Sequence, residues 1–189
     1  PASFKILTNT FVPKLGKPWP LIGFSCKAFV NILLAALNAS GSAIVTVLDG
    51  TKGLWTGLVS TDWFDCLNWA GGLPSPTIDA VIPIGLSRMP IIDPLNSPYA
   101  AAYSNIATAR DVIIANGASL GMTTNSNLEV KRDWKNSGTF NPGLGTVTFN
   151  GSILNSIQTI NLGTKLNERF YNLTLSCTNG AKGISVADG

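Results

Sequence analysis

VIIANGASL at 112–120, VTFNGSIL at 147–154 and LTLSCTNGA at 173–181 share one pattern: a short β-rich run followed within a few residues by an Asn-Gly pair. The pairs Asn116-Gly117, Asn150-Gly151 and Asn179-Gly180 recur at intervals of 34 and 29, a loose internal repeat. Asn-Gly serves either a type I′ hairpin turn or a left-handed corner of a β-solenoid. A hairpin wants alternating strands of matched length on both sides of the turn. VTF before Asn150 alternates, but SILNSIQTI after it is irregular and longer, which favours corners over hairpins.

Working outward, no helical periodicity persists after Gly53. Short β-rich runs follow instead: Ala80–Ile84, Val112–Ala115, Leu128–Val130, Thr146–Phe149, Gln158–Ile160 and Phe170–Leu175, the last expected to face inward. Gly71-Gly72, Pro74-Ser75-Pro76 and Pro142-Gly143 punctuate them. Val130 and Trp134 both read as inward, so a corner must interrupt the alternation at Lys131-Arg132-Asp133, which reads as a solvated turn. The expected fold is all-β: a parallel β-helix (solenoid) over 54–189, with an antiparallel β-sandwich as the alternative. Ile184-Ser185-Val186 begins one more alternating run with nothing large after it, so the solenoid is expected to be a truncated piece of a longer one.

Composition agrees with that class. The 189 residues include 19 Gly and 11 Pro, only 12% are charged, and the mean hydropathy is +0.26. A coiled coil needs more Glu, Lys and Ala, and a disordered tail needs lower hydrophobicity. The net charge of +3 is concentrated in residues 1–53, and the rest is close to neutral, so no nucleic-acid partner is expected. There is no His, which removes His-based triads and His–metal sites. Cys26, Cys66 and Cys177 are isolated, leaving a single Cys66–Cys177 bridge as an open option against buried thiols.

Residues 1–53 read differently from the remainder. Lys27, the ten-residue apolar run Ala28–Leu37 and the small residues Asn38–Ala43 are the ingredients of a secretory signal cleaved after Ala43. About 27 residues precede the apolar run, longer than an ordinary signal allows, so a buried element and a membrane anchor stay open. The segment is expected to be poorly packed, or helical at 28–37.

Two stretches carry a resemblance. Trp55–Ile84 has the frame W-T-G…S-T-D-W…N-W…G-G…P…D-x-V-I-P, and Asn127–Thr174 has N-L-x-V…W-x-N-S-G-T-F…G-T-V-T-F-N-G-S…Q-T-I…F-x-N-L-T. Both resemble repetitive extracellular proteins of Bacteroidetes-type bacteria, large secreted or surface-anchored chains often exported by the type IX route. The resemblance implies β-solenoid repeats and an adhesin-like role at the cell surface.

Trp55, Trp63 and Trp69 stand at intervals of eight and six. A first solenoid rung has no neighbour to cover it, so these rings are expected to form an N-terminal cap, with a glycan-stacking platform as the sharper alternative. Asp62 and Asp65 read as turn or capping residues, since no D-x-D-x-D loop is present. Asp111 beside Arg110 and Asp133 beside Arg132 read as surface ion pairs. The expected function is a non-catalytic segment of a secreted or cell-surface protein, for adhesion or as a stalk. No catalytic, metal or cofactor residues are assigned. Cell-surface glycans or other extracellular proteins are the expected partners, and a membrane enters only through export or anchoring of the parent chain. A carbohydrate-binding module using Trp55, Trp63 and Trp69 is the first alternative, and a polysaccharide lyase or hydrolase on a β-helix is the second.

Overall fold

The computed structural model describes residues 52–151, 157–162, 169–176 and 183–187. The leader expected over 1–53, with its helix at 28–37 and cleavage after Ala43, lies outside these residues apart from Lys52 and Gly53. So do Cys177, and with it the Cys66–Cys177 bridge, and the Asn179-Gly180 corner.

The described residues are strand-rich and all-β. The first circuit of the chain holds β1 (Leu54–Trp55), β2 (Trp69–Ala70), β3 (Ala80–Ile82), β4 (Ile91–Ile92) and β5 (Ile106–Ala109). Next come β6 (Val112–Ile114), β7 (Ser119–Met122), β8 (Asn127–Val130), β9 (Trp134–Asn136), β10 (Thr139–Asn141) and β11 (Thr146–Phe149). The last described strands are β12 (Ile157–Asn161), β13 (Asn172–Leu175) and β14 (Gly183–Ala187). Short 3-10 turns occupy Cys66–Asn68 and Ala100–Tyr103.

Three sheets result. Sheet I runs β14-β12-β9-β6-β3-β1-β2, sheet II runs β10-β7-β4, and sheet III runs β13-β11-β8-β5. From β3 to β11 the chain visits I, II and III in turn, three times over. Among the named strands only β1 and β2 pair antiparallel. The antiparallel sandwich is therefore not what forms. Parallel neighbours need a long connection, and here that connection is the passage through the other two sheets.

Register keeps like on like. Val112 pairs with Ala80 and with Trp134, and Leu128 pairs with Ala107 and with Val147. With a side-chain period of two, this stacks inward residues on inward residues. The columns Ala80–Val112–Trp134, Ala107–Leu128–Val147 and Ala109–Val130–Phe149 are all buried. Val130 and Trp134 both face inward, as their spacing predicts, with the change of sheet falling between them.

Some changes of sheet are made through left-handed backbone, although those at 110–111, 131–133 and 137–138 are not. Gly117 (φ 85°) stands between β6 and β7, Asn125 (φ 61°) between β7 and β8, and Gly143 (φ 52°) between β10 and β11. Asn116-Gly117 and Asn150-Gly151 each lie between strands of different sheets and so are not hairpin turns, but of the two pairs only the first, at Gly117, takes the left-handed conformation expected of a corner. One expectation is met only in part: β13 continues the inward column of β11, but its side chains are not covered. Leu173 and Leu175 sit in register with Val147 and Phe149, yet are 45% and 54% exposed. Only Phe170, ahead of the strand, reaches the core, with its ring 5.4 Å from Trp134 and 5.8 Å from Phe149.

Candidate functional site

The three tryptophans expected to act together do come together. The Trp69 ring lies edge-on to both others, with centroids 4.8 Å from Trp55 and 4.7 Å from Trp63. The Trp69 indole N–H donates to the Trp63 carbonyl at 2.7 Å, and the Trp55 indole N–H donates to the Arg88 carbonyl at 2.7 Å. Exposures of Trp55, Trp63 and Trp69 are 1%, 0% and 2%. Stacking on a pyranose needs an open ring face, and none of the three presents one. Their packing is that of core residues beside the β1–β2 edge of sheet I.

The loop between β1 and β2 is organised from within. Asn68 is fully buried; its Oδ1 accepts the Val59 and Ser60 amides at 3.0 Å each, and its Nδ2 donates to Ser60 Oγ and the Asp62 carbonyl. Asp62 accepts from the Phe64 amide and from the Ser97 hydroxyl, which lies 2.7 Å away. Asp65 caps the Cys66–Asn68 turn by accepting the Leu67 amide at 3.0 Å. Burial raises the Asp65 carboxyl above its ordinary value, against the lowering pull of that amide.

The charged residues are arranged in a way that neighbour-by-neighbour reading missed. Neither arginine makes its short contacts with the Asp beside it, although Arg132 Nε also lies 3.9 Å from Asp133 Oδ2. Arg110 reaches back to Asp79 with two parallel bonds of 2.7 Å each. Arg132 reaches back to Asp111 in the same two-pronged way, with Nε–Oδ1 at 2.7 Å and Nη2 on Oδ2. Each carboxylate also accepts the backbone N–H of the next Asp: Asp111 N to Asp79, and Asp133 N to Asp111. Asp133 in turn accepts the Thr159 amide at 3.0 Å. The result is a ladder of Asp and Arg running across β3, β6, β9 and β12, one step per circuit. It corrects the solvated-turn reading of Lys131-Arg132-Asp133. The Asp111 side chain is 2% exposed and that of Asp133 20%.

Burial raises the Asp79 carboxyl, but the Arg110 hydrogen bonds and charge, with the Asp111 amide, outweigh it and hold the group below its ordinary value. Where the next Arg would stand is Gln158, which is buried. Its Nε2 donates to the Val130 carbonyl at 2.8 Å, and its Oε1 accepts the Gly151 amide at 2.9 Å. The ladder's charged groups are thus occupied with one another and with backbone, an arrangement suited to holding circuits in register rather than to moving protons.

A second feature was invisible in the sequence. An open cleft of about 370 Å³ lies over the outer face of β5. Its walls come from Leu73, Pro74 and Pro76 on one side and from Tyr103 and Ile106 on the other, with Trp63 contributing from the core. Ser75, Ser104 and Thr108 supply hydroxyls. A smaller hollow of about 180 Å³ lies between Ser60, Asp62, Asp93 and Ser97. Trp63, residues 73–76 and residues 103–108 build the larger cleft, and the last of these segments lies about 30 positions from the others in sequence.

No known family matches the sequence, and no curated protein or solved structure shows significant similarity to it.

Proposed function

We propose that this chain is a non-catalytic solenoid stretch of a secreted or cell-surface protein, serving adhesion or acting as a stalk. In this reading sheets I, II and III are the three faces of a parallel β-helix, and the tryptophan cluster is its N-terminal cap. One observation carries it: the chain passes through the three sheets in the same order three times, in register, with an Asp–Arg step at the same corner of successive circuits. A structure wired only between adjacent circuits is suited to length and surface display. The sequence resemblance to Bacteroidetes-type surface proteins supports the same assignment. The enzyme alternative gains nothing from Arg110, Asp111, Arg132 and Asp133, whose contacts serve the fold.

The register supplies the test. Deleting residues 112–133 joins Asp111 to Trp134, so that one Arg-Asp corner replaces the next and β3 meets β9, β4 meets β10 and β5 meets β11. A solenoid loses one circuit and still unfolds cooperatively, with native-like far-ultraviolet dichroism and lower stability. A shortened chain that cannot fold shows a closed domain instead. Surface placement is tested separately by protease treatment of intact source cells, which should remove the protein while leaving cytoplasmic markers whole.

A further inference from the structure

The cleft over β5 combines features that core packing does not require. Outward-facing Ile106 and Thr108 alternate with buried Ala107 and Ala109, so β5 offers the cleft one apolar side chain and one hydroxyl. The Tyr103 ring is 36% exposed and stacks at 6.2 Å and 24° on Phe64, itself buried. Phe64 thus braces the ring while part of it stays open to solvent. Ser104 and Asn105 follow directly in left-handed conformation, with φ of 55° and 60°. Two bonds lock them there: Ser104 N–H to the Ala101 carbonyl and Asn105 N–H to the Ala100 carbonyl. A sparsely populated backbone held at a cleft edge is a common mark of a binding site. Trp63, fully buried in the wall, has an indole N–H with no acceptor, an unusual state for a buried donor.

The chemistry of the lining selects the ligand class. It contains no Asp, Glu, Lys or Arg, so neither an anion nor a cation finds a counter-charge. The prolines, Ile106 and Tyr103 offer apolar surface for a flat, hydrophobic ring face. Ser75, Ser104 and Thr108 offer groups that both donate and accept, the match for a ligand rich in hydroxyls. The volume lies in the range of small-ligand sites. Apolar faces edged by neutral hydroxyls are the property of a pyranose.

We infer that this cleft is a binding site for a neutral saccharide, with Tyr103 as the stacking residue and Ser75, Ser104 and Thr108 as hydroxyl partners. This goes beyond a scaffold role and moves glycan recognition away from the buried face of the tryptophan cluster. The test is a titration of the chain, followed by nuclear magnetic resonance of the indole N–H groups, with methyl β-glucopyranoside, methyl α-mannopyranoside and cellobiose up to about 50 mM, a range suited to weak sites. At least one sugar should shift the Trp63 indole resonance saturably. Tyr103→Ala should weaken that binding about tenfold, the loss of one aromatic contact, while Tyr171→Ala, outside the cleft, leaves it unchanged. Should Tyr103→Ala fail to fold, Thr108→Val decides in its place: weaker binding supports the site and unchanged binding overturns it. No saturable response to any sugar, a response that survives Tyr103→Ala, or capture of a proline-rich peptide alone overturns the inference.

Discussion

Arg132 grips Asp111, 21 positions before it, rather than depending on Asp133 beside it. Asp111 is nearly sealed from solvent, and its carboxylate is held by that guanidinium and by the Asp133 amide. The same relation joins Arg110 to Asp79 one circuit earlier. A sequence-local ion pair would stiffen a turn; this one ties two turns of chain together.

Arg132→Met removes the guanidinium and leaves a buried carboxylate without its main partner. The expected cost is about 3–5 kcal/mol in urea unfolding. Lys135→Met, on an outward position of β9, should change stability by less than about 0.5 kcal/mol. Equal effects at the two sites would show that the ladder adds nothing beyond surface charge.

The acid limb of stability should follow Asp79. Its folded pKa lies below the ordinary carboxyl value, so its contribution is present above the unfolded pKa and is lost as pH falls through the folded one. Asp65, which burial raises above its ordinary value, acts in the opposite sense: its contribution is present below the unfolded pKa and is lost as pH rises through the folded one. Melting temperature should therefore drop below about pH 4. Arg110→Met should flatten that drop, because Asp79 then titrates nearer its unfolded value. A variant with the same acid profile as the parent would contradict the assignment.

Two glycines with positive φ separate backbone strain from steric clash. Gly143 (φ 52°) would place a Cβ 2.2 Å from the Met122 carbonyl oxygen, whereas Gly85 (φ 89°) has open space around it. Gly85→Ala should cost about 1–2 kcal/mol, the left-handed penalty alone. Gly143→Ala should cost clearly more, since backbone of the neighbouring circuit must also move. Thermal melts of the two variants give the comparison.

Trp69→Ala removes the ring that touches both of its partners and the bond to the Trp63 carbonyl. A loss of about 3–5 kcal/mol is expected, as for other buried aromatic truncations. Because Trp69 is buried and does not line the cleft over β5, the surviving folded protein should keep whatever glycan binding the parent has. Calorimetry on the parent and variant checks both statements.

Strands built from β-branched residues were legible: Ala80–Ile82, Val112–Ile114 and Thr146–Phe149 fall where alternation places them. Ile106–Ala109 and Ser119–Met122 were not, because Ala, Ser and Gly carry little strand signal and the partner strand lies a whole circuit away. The Asp–Arg ladder left one trace, the Arg-Asp pair recurring at 110–111 and 132–133 in step with the Val112–Trp134 register. That signal points along the stack, and reading each pair as a local contact hid it. The cleft left none, since Trp63, Pro74 and Tyr103 meet only after the circuits close.

The ladder also has a direction. It crosses β3, β6, β9 and β12 along the line in which the strands of sheet I are hydrogen-bonded, so a pull along that line loads the Asp–Arg clasps in series and the amide bonds beside them. Every step on that line bears the same force, so the step with the fewest bonds across it yields first. At Gln158 the chain of clasps stops, and Asp133 is held across that step by the Thr159 amide. Under tension the seam between β9 and β12 therefore carries its share of the load on strand hydrogen bonds and the Asp133–Thr159 bond, without the two-pronged clasp that reinforces the seams between β3 and β6 and between β6 and β9.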